Sequence, residues 1–127
     1  IDIATLTGAA EIALGQKIAA AITNDNDFLK EIEEAAKKTG ERIWELPHDD
    51  DFLKLIESPY ADLTNSGGKF GGTITAGLFL GAVVGSVPWV HIDIAGPSWS
   101  EEAVGYFSKG ATGFGTRLLY QVAKEFN

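Results

Sequence analysis

Apolar positions along the chain alternate between short extended runs and stretches with helical spacing, the signature of strands and helices in turn. Ile1-Asp2-Ile3-Ala4-Thr5-Leu6, β-branched and small residues closed by Thr7-Gly8, predicts a buried strand that runs into a tight turn. Ala9 to Leu14 predicts a short helix, and Lys17 to Thr23, rich in alanine and isoleucine, a second buried strand. The clearest helix follows. Asn24 or Asn26 is its expected cap, acids crowd its first half, Lys37 and Lys38 sit in its last turn, and Gly40 is the stop. Phe28, Leu29, Ile32, Ala35 and Ala36 recur at helical spacing and give one apolar stripe to lay against a sheet.

Ile43 to Pro47 reads as extended, after which Asp49, Asp50 or Asp51 caps a short helix carrying Phe52, Leu53, Leu55 and Ile56, ended by Ser58-Pro59. Ala61 to Gly68 is strand or loop. Gly71 to Val84 predicts a helix lined with glycine and alanine, a composition that lowers helix propensity but lets backbones approach, and such a helix is expected inside the fold. Trp89 to Pro97 is the third strand, and Gly110 to Gly115 leads into a last helix from Thr116 to Glu125. Strands alternating with helices mean an α/β layered sheet. In such sheets ligands meet the backbone at the strand-to-turn edge, which directs attention to Thr5 to Gly8.

Composition narrows the function classes. At 127 residues and 45% hydrophobic content, the chain suffices for one domain or part of one, and the abrupt start on a strand together with the lack of methionine suggests a piece of something larger. The net charge of −8 repels phosphate backbones and anionic lipid, so nucleic acid is not an expected partner. Residues 25–57 hold 11 of the 18 acids, marking the middle of the chain as a solvated flank. Without cysteine there are neither disulfides nor thiolate metal sites, a composition that fits a reducing compartment. The first residues lack the charged and apolar segments of a secretory signal. The apolar run from Ile74 to Val87 is broken by Gly77, Gly81 and Gly85 and falls short of the roughly 20 residues that cross a bilayer, so no membrane span is expected.

Candidate chemistry is sparse. His91 and Asp93 lie two apart on a strand and share a face, so they offer two metal ligands or a base with its orienting acid, but the polar face of a half-buried strand accounts for them better. Gly110 to Thr116 resembles a phosphate-cradling loop but does not match the P-loop pattern and lacks its lysine, which favours a loop that opens a helix. Asp49, Asp50 and Asp51 are the only dense acid cluster; they read as caps ahead of a weak Ca²⁺ or Mg²⁺ site, with His48 an exposed loop residue. Neither a Gly-x-Ser-x-Gly elbow nor a His-Glu-x-x-His helix occurs.

Longer strings say more. Asp2-Ile3-Ala4-Thr5-Leu6-Thr7-Gly8-Ala9, Glu41-Arg42-Ile43-Trp44-Glu45-Leu46-Pro47 with Ala61-Asp62, Gly71-Gly72-Thr73-Ile74-Thr75-Ala76 with Phe79-Leu80, Trp89-Val90-His91-Ile92-Asp93-Ile94-Ala95-Gly96, and Lys109-Gly110-Ala111-Thr112-Gly113 follow one another in order. This collinear set closely resembles the leucyl (cytosol) aminopeptidase family over nearly the whole chain. The resemblance implies a three-layer mixed sheet flanked by helices, with residues 1–127 forming the C-terminal portion of a metalloaminopeptidase catalytic domain. It implies a two-metal exopeptidase, with Zn or Mn, that removes N-terminal residues from peptides as a cytoplasmic homohexamer.

The family's metal ligands, catalytic lysine and arginine belong to upstream segments, including an Asn-Thr-Asp-Ala-Glu-Gly-Arg motif that is absent here, so this chain is expected to bind no metal and to be inactive alone. By the same resemblance Leu6 offers a backbone carbonyl and Gly8 a backbone N–H to the peptide main chain in the turn Thr5-Leu6-Thr7-Gly8, and Thr5 faces the first side-chain pocket. Ala95 and Ser98 match other walls of that pocket. Ser98 departs from the alanine or larger apolar residue more common there, which leaves the preference for leucine-like side chains open. Gly67-Gly68 borders the leaving side. The competing reading is a non-catalytic, aminopeptidase-like interaction module. An unpaired strand edge at residues 1–6 further predicts self-association.

Overall fold

The computed structural model describes residues 1–126. Four strands, β1 (Asp2–Ala4), β2 (Ala19–Thr23), β3 (Ile43–Glu45) and β4 (Val90–Asp93), form one sheet in the order β1-β4-β2-β3. β1 runs parallel to β4 and β2 parallel to β3, whereas β2 and β4 are antiparallel, so the sheet is mixed. β2 and β4 lie at its centre and are buried along their whole length, which explains their continuous apolar or small-residue runs. β1 and β3 are the edges, and β1 pairs with β4 alone among the described strands.

Alternate side chains of the sheet serve two layers. Ala19, Ala21, Val90 and Ile92 meet Leu29, Ile32, Ala35 and Ala36 of α2 (Asn26–Thr39) and Leu118 of α4 (Thr116–Glu125), forming the main core. On the opposite face α1 (Gly8–Leu14) and α3 (Gly72–Val84) cover β2. Gly77 of α3 lies against Ile22, where an added Cβ would stand 2.4 Å from Ile22 Cδ1. The glycine expected to permit a close helix therefore does so at that strand.

The stripe on α2 buries as its spacing requires, but its cap is neither of the asparagines. Asp25 accepts from the N–H groups of Asp27 and Phe28, while Asn24 is used across the sheet end: its Oδ1 accepts from Trp89 N–H and its Nδ2 donates to the carbonyls of Gly85 and Val87. Asp49 caps a 3₁₀ helix at Asp50–Ile56, consistent with a capping role for the acid cluster. Ala61 to Gly68 is loop rather than strand.

Two expectations are corrected. α3 was expected inside, yet it buries only Thr73, Thr75, Gly77 and Leu78, and Val83 is 80% exposed, because the sheet, α1 and the 3₁₀ helix that pack on it leave part of its apolar surface uncovered. The His91/Asp93 strand is not half-buried; both side chains are fully enclosed. A short hairpin, β5 (Trp99–Ser100) with β6 (Gly110–Ala111), was not foreseen, since two-residue strands leave no periodic pattern.

Candidate functional site

β1 ends at Ala4 and the chain turns through Thr5, Leu6 and Thr7 into α1, whose first residue is Gly8. Thr7 is the helix cap: its Oγ1 accepts from Ala10 N–H at 3.1 Å. As the first residue of a helix, Gly8 carries an N–H that no intrahelical carbonyl can reach. Beside the turn lies a cleft of about 290 Å³ lined by Leu6, Thr7, the loop from Asn65 to Gly68, and Gly72, Thr75 and Ala76 of α3. Leu6 is 42% exposed, large for an apolar side chain, and sits at the mouth of that cleft.

The turn is held from below by Asp93, the last residue of β4. Its Oδ1 accepts from Leu6 N–H at 3.1 Å, Thr7 N–H at 3.3 Å and Ala95 N–H at 3.1 Å, and its Oδ2 accepts from the Thr7 hydroxyl at 2.6 Å. The hydroxyls of Thr7 and Thr73 are 3.0 Å apart, which extends the network to the start of α3. Parallel pairing of β1 with β4 in the register Ala4 to Asp93 is what brings the carboxyl beneath the turn.

His91 does not work with Asp93, although both point to the same face. Its Nδ1 lies 2.5 Å from Asp2 Oδ1, and the same Asp2 side chain accepts from the Trp89 indole N–H at 2.5 Å. His91 Nε2 is buried without a partner. Asp93 is thus engaged by four donors and His91 by Asp2. Among the described residues no three His, Cys, Asp or Glu side chains converge on a point where a metal ion would sit. The described residues therefore offer no donor set that fits a metal pair.

Of the residues singled out in the sequence, Thr5, Leu6, Thr7 and Gly8 come together in one turn, and Leu6 and Thr7 line the cleft. Ala95 joins them through the shared Asp93 Oδ1. Ser98 stands on the following turn, its N–H on the Ile94 carbonyl and its hydroxyl donated to the Ala95 carbonyl at 3.3 Å. Neither Ala95 nor Ser98 lines the cleft at Leu6. Gly67 and Gly68 do, as does Thr75, which the sequence did not single out. Asp93 was read there as a metal ligand, as the acid orienting His91 or, in preference, as part of the polar face of its strand; the clue to its contacts was its place at a strand end whose neighbour ends at the same level.

A larger hollow of about 580 Å³ lies elsewhere, between the β5–β6 hairpin, the residues joining α2 to β3, and α4. Arg117 occupies its wall, 3.3 Å from the buried Glu41, donating to the Tyr106 hydroxyl at 2.5 Å and lying over the rings of Tyr106 and Phe107. Glu41 in turn accepts from Leu118 N–H at 2.7 Å. These contacts anchor the loop after β5. None of Thr5 to Gly8 borders this hollow, so its size does not make it the site.

Known proteins resemble this chain in sequence and fold. Residues 1–120 match the model of the cytosol aminopeptidase family, catalytic domain. A probable cytosol aminopeptidase of Clostridium perfringens is 52% identical over 97% of this chain, and one of Aquifex aeolicus 56% identical over 95%; the chain spans 25% of each relative. Among solved structures, a mutant of tomato leucine aminopeptidase superposes with a TM-score of 0.88 at 41% identity, covering 94% of this chain and 23% of that one. The bottromycin maturation enzyme BotP in complex with Mn gives 0.90 at 36% identity, covering 95% and 27%. With its mixed sheet and the turn that leaves β1 for α1, the chain belongs to the cytosol aminopeptidase family, within the catalytic domain.

Proposed function

We propose that this chain is the substrate-positioning part of a peptidase that removes N-terminal residues from peptides. The observation that supports the reading is the turn beside the cleft: Asp93 takes Thr7 N–H, which turns the Leu6 carbonyl of the same peptide unit the other way, and Gly8 opens α1, where its N–H has no intrahelical acceptor. A peptide main chain presents the complementary donor and acceptor. In this reading Thr5 faces the side chain of the first residue, with Ala95 and Ser98 as further walls outside the cleft at Leu6, while Gly67 and Gly68, which line that cleft, border the departing portion. Positioning of this kind lowers a barrier by holding reactants in an attack geometry, worth several kcal/mol.

The family relationship and the Mn complex of one structural neighbour support dependence on divalent cations. When bound, such ions supply electrophilic activation of the scissile carbonyl and of water. In this reading the two Zn or Mn ions belong with polypeptide beyond these residues, and the chain alone is inactive. The relatives' names support action in the cytosol. No described helix is long and apolar enough to cross a membrane. A homohexamer is the proposed assembly of the whole protein.

The test is hydrolysis of leucine p-nitroanilide by the full-length protein with added Mn²⁺, compared with this chain alone. Turnover by the full-length protein only is expected. No hydrolysis of any N-terminal residue by the metal-loaded full-length protein overturns the reading, and turnover by the chain alone overturns the assignment of its catalytic groups to other segments.

A further inference from the structure

We infer that Asp93 is the positioning residue of the peptide cradle: it sets the direction in which the backbone carbonyls of the turn face. The inference rests on the function proposed above and concerns how that site is built.

The argument is one of peptide geometry. In a trans peptide unit the N–H and the preceding C=O point in opposite directions, and no peptide bond among the described residues is cis. Thr7 N–H points to Asp93 Oδ1, so the Leu6 carbonyl of the same unit points away from that carboxylate. Leu6 N–H points to the same oxygen, which turns the Thr5 carbonyl away from it as well. Two consecutive acceptors are thereby turned from Asp93, in the turn whose Leu6 lines the cleft.

The same oxygen takes Ala95 N–H, so the segment after β4 is fixed to the turn after β1 by a single atom. Oδ2 has a different task. It takes the Thr7 hydroxyl, leaving that oxygen's lone pairs for Ala10 N–H and fixing where α1 begins, and hence where Gly8 N–H lies. Asp93 is fully buried, takes part in none of the salt bridges, and has every contact directed at the turn or at Ala95.

The two oxygens separate by substitution in the full-length protein. Asp93→Asn keeps an oxygen able to hold the three N–H groups and replaces the acceptor of the Thr7 hydroxyl; Asp93→Ala removes both. Amide exchange at Leu6, Thr7 and Ala95 is followed together with kcat and KM on leucine p-nitroanilide. In Asp93→Ala, exchange at the three amides rises about 10- to 100-fold, and kcat falls about 100-fold with a smaller change in KM. Asp93→Asn recovers most of the amide protection and part of kcat. A purely structural role would lower the amount of folded enzyme and leave kcat per folded molecule unchanged, which overturns the inference. Unchanged exchange at the three amides in a folded Asp93→Ala protein also overturns it. If the alanine variant does not fold, exchange in the wild-type and Asp93→Asn proteins decides: slow exchange at Leu6, Thr7 and Ala95 in both supports the role, and free exchange at these amides in the folded wild-type protein refutes it. Failure of the wild-type protein to hydrolyse peptides counts against the proposed function alone, since the exchange readout still judges Asp93.

Discussion

Gly77 presents the sharpest packing test, because its absent side chain is used by a strand. A Cβ there would stand 2.4 Å from Ile22 Cδ1, 2.9 Å from Cγ2 and 3.1 Å from Cβ, and Ile22 is fully buried on a central strand with no room to swing aside. Alanine gains about 1 kcal/mol in helix propensity. Overpacking costs about 1–3 kcal/mol, and with three Ile22 atoms within 3.1 Å of the added Cβ this site falls in the upper part of that range, about 2–3 kcal/mol. Gly77→Ala is therefore expected to destabilise by about 1–2 kcal/mol despite its better propensity. Ile22→Ala alone costs about 2–5 kcal/mol as a cavity. With Cδ1 and Cγ2 gone, the same glycine substitution becomes favourable by about 1 kcal/mol, so the pair departs from additivity by about 2 kcal/mol or more. Urea denaturation followed by tryptophan emission on the four proteins of the cycle measures this. A Gly77→Ala protein as stable as wild type, or an additive cycle, would refute the claim that close approach to Ile22 dictates glycine at 77.

Thr7→Val removes the cap of α1 and the hydroxyl donated to Asp93, and is expected to cost about 2–4 kcal/mol and most of the hydrolytic activity, whereas Thr7→Ser keeps both contacts and loses little; denaturation and kcat/KM on the two proteins check it. Gly96→Ala brings a Cβ to 2.2 Å from the Gly15 carbonyl oxygen, a backbone obstacle, so it is expected to destabilise more than Gly77→Ala in the same denaturation assay. The side-chain hydrogen bond from Lys38 holds the Glu125 carboxyl below its usual range. Its contribution to stability is complete above the unfolded carboxylate pKa and is lost as the pH falls through the lowered folded value; a carboxyl titration by NMR is expected to return toward normal in Lys38→Ala. The open edge of β1 predicts self-association of the chain on its own, and a monomer at high concentration in sedimentation would contradict it.

Helix α2 was legible in the sequence because its stripe has the helical period and its ends carry charges and a glycine suited to the helix dipole. Strands β2 and β4 were legible as short apolar runs, and the ordered strings around Thr5 to Gly8 and Trp89 to Gly96 identified the family. Capping was decided by tertiary contacts, since Asn24 is drawn to the backbone of Gly85, Val87 and Trp89 and leaves the helix to Asp25. The role of Asp93 was decided in the same way. Spacing places it on one face with His91, but only the parallel pairing of β1 with β4 sets it under a turn 86 residues away in sequence and gives His91 to Asp2 instead. Local patterns fix which residues form strands and helices because they depend on neighbours along the chain. Which polar groups meet depends on strand order and register, and these are set by how the whole sheet buries its two faces.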